Sequence, residues 1–200
     1  MAKIGMKYPV YAPFSGTHTP GTSISYSTGA QLCHAISADV TINRRDNPLY
    51  GDDTKIENDK GITDYSITFT GDDLPATAWK DLLGETEKTT TSGEPATTVI
   101  THYEVNDNNP PYVGFGYYRV LMVDNIKYYE AFWFHQVQFA KADESATTKN
   151  EQIDWGTYQI NGTGFGVELD SSGTVHMYDH MKFDTEANAI AWIKARAGIT

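Results

Sequence analysis

Six short motifs in this chain hold the residue types that chemistry needs. The densest is His176-Met177-Tyr178-Asp179-His180. Two histidines four apart share a face only on a helix, where they can share a metal ion. This segment reads instead as a strand end and turn, and no third ligand is evident. Asp52-Asp53 and Asp72-Asp73 offer carboxylates for acid–base work or for a cation. Glycoside hydrolysis would need two such groups at a fixed separation across a cleft. The first pair sits where turns favour Asp, and the second suits a helix start that caps exposed amides. Gly162-Thr163-Gly164-Phe165-Gly166 and Gly114-Phe115-Gly116 resemble phosphate cradles, but neither opens a helix. Glycine inside a strand more often marks a bulge or a close backbone approach. Cys33 and His34 are neighbours, and neighbouring strand residues point to opposite faces, so they make no nucleophile–base pair. The motifs predict no enzyme, no metal site and no cofactor.

The elements around these motifs read as mainly β. Residues 34–75 contain two alternating runs. Ile36, Ala38, Val40 and Ile42 fall on one face of the first, with Ser37, Asp39, Thr41 and Asn43 on the other. Tyr65, Ile67 and Phe69 alternate with Asp64, Ser66, Thr68 and Thr70 in the second. Residues 44–63 between them are polar and read as a loop of unusual length, which in a compact domain is functional or disordered. Asp72 to Pro75 then starts a short helix with Leu74, Ala78 and Leu82 on one face and Gly84 at its end. Residues 85–98 read as an exposed loop. Strands follow over 99–105, 112–123 and 128–141, with a tight turn at Asp124-Asn125. Trp133, Val137 and Phe139 are expected on one face, opposite Gln136 and Gln138. After a polar connection over 142–152 come a strand over 153–167, a short run over 174–178 and a last helix. That helix is expected to be capped by Asp184, to bury Ala187, Ile190 and Ala191, and to stop at Gly198. Residues 3–14, broken by Pro9 and Pro13, read as an edge strand or arm.

Composition limits the function classes. Two hundred residues suit a single β domain, and 40% hydrophobic content is enough for a core. Thirteen tyrosines outnumber 4 Trp and 8 Phe, and the tyrosine ring with its polar tip suits surfaces buried on assembly. A formal charge of −11 argues against ordinary binding to a nucleic-acid backbone. Cys33 is the sole cysteine, so no internal disulfide forms, and a reducing compartment is expected. No stretch has signal-peptide character or the length of a membrane span, so a soluble, unexported protein is expected.

Taken in order, the blocks AKIGMKYPVYAPF, AISADVTINRRDNPLYGDD, DYSITFTGDDLP followed by a short helix, and FAKADESATTKNEQIDWGTYQINGTGF resemble the major tail proteins, or tail tube proteins, of long-tailed, non-contractile bacteriophages. The likeness spans nearly the whole chain. It implies one domain over residues 1–200: two packed antiparallel β-sheets, a sandwich or half-barrel, with a short flanking helix and a C-terminal helix over 184–197. It further implies stacking of hexameric rings into a hollow tube through which DNA is ejected. Residues 1–15 would form an N-terminal arm and 44–63 a long loop touching the next ring. Some relatives carry an extra C-terminal immunoglobulin-like domain, and none is expected here.

The alternation nominates polar residues, and the resemblance assigns them to the lumen: Asp39, Thr41, Asp64, Ser66, Thr68, Gln136 and Gln138. Arg44, Arg45, Asp52, Asp53, Lys55 and Lys60 are the implied inter-ring contacts. The implied partners are other copies of the chain, a tape measure protein, and tail terminator and distal tail proteins; DNA would pass without specific binding and no membrane is involved. The implied location is the virion tail, after assembly in the host bacterial cytoplasm. The alternative class is a carbohydrate-binding β-sandwich using Trp133, Trp155 or the tyrosines as sugar platforms.

Overall fold

The structure, a computed structural model, describes residues 2–92, 97–105, 109–142 and 156–200. In chain order it contains β1 (Ala2–Pro13), β2 (Ala30–Gln31), β3 (Ala35–Gly51), β4 (Thr54–Gly71) and α1 (Ala76–Leu83). Next come β5 (Thr86–Ser92), β6 (Thr97–Tyr103), β7 (Tyr112–Val123), β8 (Ile126–Lys141) and β9 (Tyr158–Phe165). The chain ends with β10 (Val167–Glu168), β11 (Val175–His176), β12 (Tyr178–Phe183) and α2 (Glu186–Ala197). The architecture is mainly β and antiparallel. Eight strands form one hydrogen-bonded sheet, in the path β2-β1-β7-β8-β9-β4-β3 with β12 added along β8.

The two layers expected from the sequence are therefore halves of one sheet, and β8 belongs to both. Its first half pairs with β12, from Tyr129↔Phe183 to Phe134↔Tyr178, and its second half pairs with β9, from Gln136↔Phe165 to Lys141↔Ile160. Along its other side, Val113↔Val137 is followed by Phe115↔Phe134. Strand β8 thus spends one residue more than β7 between those pairs. The extra residue is a β-bulge at His135–Gln136, which bends the strand and sharpens its twist.

The bulge overturns one expectation. Strict alternation puts Trp133 with Val137 and Phe139, yet Phe132 and Phe134 are the residues that join Val137 and Phe139 in the main core. Trp133 lies on the opposite side, in a second cluster with Val10, Ala12, Tyr118, Ala131 and the α2 residues Ala189, Ile193 and Ala197. The main core is aromatic: Tyr65–Phe134 and Phe115–Phe139 ring centroids lie 5.2 and 5.4 Å apart. Each fully buried ring of this kind contributes about 1.5–3 kcal/mol. Helix α1 closes one side of that core with Leu74, Ala78, Leu82 and Leu83, and it stops at Gly84, whose φ of 69° disfavours any residue with a Cβ.

Several boundaries differ from expectation. Residues 44–63 are no loop: β3 and β4 continue through them as one long hairpin, paired as far as Gly51↔Thr54. No apolar alternation marks this part because neither face meets the core. Residues 86–92 likewise pair with β6 as a two-stranded ribbon, since a run of threonines favours extended backbone even where its side chains are exposed. Of the two readings for residues 3–14, edge strand or arm, the first describes β1: it is no detached arm but pairs along β7 from Ala2↔Met122 to Pro13↔Val113, with only the two-residue β2 on its other side. Shifts in register beside Gly5 and around Tyr8-Pro9 accommodate the proline. Ile36 is exposed because the register shifts between Ala35 and Ser37.

Both helix starts also differ. Pro75 holds the N-cap position of α1 with no side-chain cap; Asp73 accepts from the Leu74 amide, and Asp72 accepts from the His34 amide and ring. Thr185, not Asp184, caps α2, accepting from the Asn188 amide at 3.3 Å. Its buried face is Ala189, Ile193 and Ala197, with Ile190 packed beside it, because these meet Val10, Ala12 and Trp133; Ala187 and Ala191 face solvent. The Asp124-Asn125 turn is as expected, with φ of 48° and 65°. The 142–152 connection and the start of the 153–167 strand fall mostly outside the described residues; β9 begins at Tyr158, and Val167 belongs to the separate β10.

Gly164 pairs with Tyr65, and a Cβ there would overlap the Tyr65 ring. Gly164→Ala is expected to lower stability by about 1–3 kcal/mol through overpacking. Gly156→Ala, which would meet nothing within 4 Å, should leave the urea midpoint unchanged.

Candidate functional site

The nominated polar residues come together on one surface. Register aligns Asp39 with Thr68, Thr41 with Ser66 and Asn43 with Asp64. From β4 the rows continue into β9, with Thr68 opposite Asn161 and Ser66 opposite Thr163. From β9 they reach β8, where Gln138 faces Thr163 and Gln136 faces Phe165. All seven nominated residues therefore share one face of four adjacent strands, and each is exposed or half-buried. The other face of the same strands carries Val40, Tyr65, Ile67, Phe69, Val137, Phe139 and Ile160 into the core.

The sequence puts Asn43 on this face without nominating it, and sequence reasoning left out Asn161, Thr163, Phe165 and, on the adjoining β7, Tyr112. The alternation of Gln159, Asn161 and Thr163 was available as a signal, but β9 is glycine-rich, and its glycines obscure the apolar half of the pattern. They pack against core rings: a Cβ on Gly162 would come within 2.7 Å of the Phe139 ring. Across the face, Asp39 and Asp64 supply negative charge, and the aligned rows contain no Lys or Arg. The side chains are tied sideways: Thr68 Oγ1 donates to Asn161 Oδ1 at 3.3 Å, Asn43 donates to Asp64, and Gln138 Nε2 donates to the Pro110 carbonyl at 2.6 Å. Phe165 and Tyr112 meet edge to face at 6.2 Å.

This face ends at β3, an edge strand of the sheet, and the sheet's other edge, along β1, lies two strands beyond β8. Strand β3 pairs only with β4; on the outer side of β1, Val10 and Tyr11 pair with β2 and the Pro9 and Pro13 carbonyls accept from the Leu32 and Ser27 amides, which leaves Ala2–Tyr8 as its open part among the described residues. Rows of unpaired backbone groups on such edges are templates for another chain.

The long hairpin carries all six nominated inter-ring residues. Arg45 Nε lies 3.1 Å from Asp59, and Lys60 lies 3.7 Å from Asp46. A hydrogen bond from Asn58, then Lys60 and Lys55, holds the Asp46 carboxyl below its usual range. Asp52 and Asp53 form the tip, both with positive φ, and Lys55 stands opposite Tyr50. Arg44 is exposed and stands opposite Ile62. The ion pairs are open to water and hold the arm only weakly. Two-stranded hairpins are marginal on their own in water. This one nevertheless exposes Leu49, Tyr50 and Ile56 at 61%, 63% and 66% near its tip.

The remaining motifs disperse. His176 and His180 lie on different strands; His180 stacks on Phe132 and sits 3.4 Å from Glu130. Asp179 points to the opposite side, 2.9 Å from Arg196. No group of three potential metal ligands is found among the described residues. Burial, then Asp72, pushes the Cys33 thiol up to about 11, away from the thiolate form that reacts. Trp133 is 1% exposed and can be no sugar platform, while Trp155 lies outside the described residues. No helix among the described residues is long and apolar enough to cross a membrane. A scan of protein-family models and a search of curated proteins return no match to this chain.

The tip geometry generates a local prediction. Asp53 has a φ of 60°, which a β-branched residue tolerates poorly. Asp53→Val should strain the turn by about 1–2 kcal/mol and speed hydrogen exchange of the arm amides roughly tenfold or more. Asp53→Gly should not slow or speed them by more than a few-fold, as checked by exchange NMR.

Proposed function

We propose that this chain is the major subunit of a non-contractile phage tail tube, assembling as hexameric rings that stack around a channel for DNA. One observation carries the reading: a polar face of four strands whose aligned rows hold no Lys or Arg, backed by the core and ending at the open edge of β3 in a sheet whose other edge, along β1, is open over Ala2–Tyr8. Pairing those edges between neighbouring copies would use their free backbone groups and join the sheets around a ring. Six copies at −11 give −66, and a wall lined by Asp39, Asp64 and neutral amides and hydroxyls would repel DNA phosphates and offer them no counter-charge. The β3–β4 arm supports stacking, because its exposed Leu49, Tyr50 and Ile56 would be buried against an adjacent ring. The tape measure, terminator and distal tail proteins are the partners this role requires, and the virion tail is its location.

Negative-stain microscopy of the concentrated protein, with and without a tail-initiation extract, tests the role directly. Hollow tubes or stacked rings are expected in at least the second condition. Monomers in both would count against the tube.

Two sets of variants separate the surfaces. Leu49→Asp combined with Ile56→Asp should leave the circular dichroism and urea midpoint near wild type, since both residues are outside the core, yet abolish stacked tubes in the same images. Asp39→Lys combined with Asp64→Lys should permit folding and tube assembly while impairing DNA ejection from tails built of the variant. Normal ejection would remove the lumen assignment.

A further inference from the structure

On the opposite side of the bend in β8 from the main core, four separate segments converge on a buried histidine. His135 is 6% exposed and its Nε2 lies 3.2 Å from Asp179 Oδ1, misaligned for a full hydrogen bond. The other Asp179 oxygen accepts from Arg196 Nη2 at 2.9 Å, and Arg196 also lies over the Trp192 ring at 3.8 Å. The Tyr26 hydroxyl donates to the His135 carbonyl at 2.8 Å. These groups line an open cleft of about 300 Å3 together with Ser23 and Leu169. Just beyond, the Gly29 amide donates to the carbonyl of Ala197, the last residue of α2.

The charged and titratable groups facing His135 are Asp179 of β12, Arg196 of α2 and His176 of β11. We propose that protonation of His135 takes Asp179 away from Arg196 and releases the last turn of α2, making this node an acid-sensitive latch. A neutral imidazole leaves Asp179 to Arg196. An imidazolium would place two cations on one carboxylate in a site where His135 is largely shielded from water. Arg196 is a third exposed and already rests on Trp192, so it is the partner that can leave. Burial sets the direction in pH: it lowers the His135 pKa from 6.5, more than Asp179 raises it. The unfolded chain therefore binds the proton first, and this contribution to stability is complete above about pH 6.5 and falls on acidification.

An NMR titration of the full chain from pH 7.5 to 5, above the range where ordinary carboxylates protonate, provides the test. The expected result is a loss of Gly29 amide protection of about tenfold or more, with the midpoint of the His135 ring resonance, and unchanged protection of core amides such as Ile67. His135→Gln should abolish the pH dependence. Constant Gly29 protection, a Gly29 midpoint different from that of His135, or the same loss in a folded His135→Gln variant would overturn the latch. The two wild-type midpoints decide the question even if that variant does not fold.

Discussion

One extra residue in β8 sets the rest of the molecule. A regular strand would send His135 and Val137 to one side and Phe134 and Gln136 to the other. The bulge breaks that rule, so Phe134 and Val137 enter the same core while His135 and Gln136 stay outside it. The strand can then leave β12 and join β9, and the sheet folds over its own aromatic face. Gly114 lies between the two register pairs that flank the bulge, where a Cβ would fall within 2.7 Å of the Tyr26 ring. Without the bulge, the α2 side and the four-strand polar face would not both lie outside the core.

The outer side is consequently divided by chemistry. Over β1, β7 and the first half of β8 it is apolar and covered by α2, which buries Ala189, Ile193 and Ala197 against Val10, Ala12 and Trp133. Over the second half of β8, β9, β4 and β3 it is polar, with no helix over it among the described residues. Small alanines let α2 approach closely, and Glu186 at its start accepts from Tyr118 as well as lying 3.6 Å from Lys7. Burial, then Glu186, pushes the Tyr118 hydroxyl pKa upward, keeping it a donor.

The arm and the sheet edges follow a different physical logic from the core. A fold selected only for its own stability would shorten β3 and β4 where the core ends, near Ile42 and Tyr65, and would cover the edge of β3. Instead the ladder continues to Gly51 and Thr54, carrying exposed apolar side chains on a support that weak ion pairs cannot hold alone. Such features cost little in an assembly that covers them and carry an aggregation risk outside one.

Period-two alternation in residues 36–43 and 64–70, the Asp124-Asn125 turn, the Leu74–Ala78–Leu82 face and the acidic charge were all written in the sequence. Local sterics and side-chain polarity decide such features, so they need no partner to be read. Parity likewise placed Asp39, Thr41, Asp64, Ser66 and Thr68 together, because strands β3 and β4 pair in register. Tertiary structure decided what depends on distant residues. The bulge at His135–Gln136 exists because β8 must satisfy β7, β12 and β9 at once, and nothing within residues 133–139 announces it. The arm was hidden because a hairpin without a core has no apolar side to show; only its backbone pairing defines it. The meeting of Tyr26, His135, Asp179 and Arg196 was hidden as well, since no local pattern links positions so far apart in the chain and only the folded sheet and α2 bring them within hydrogen-bonding reach.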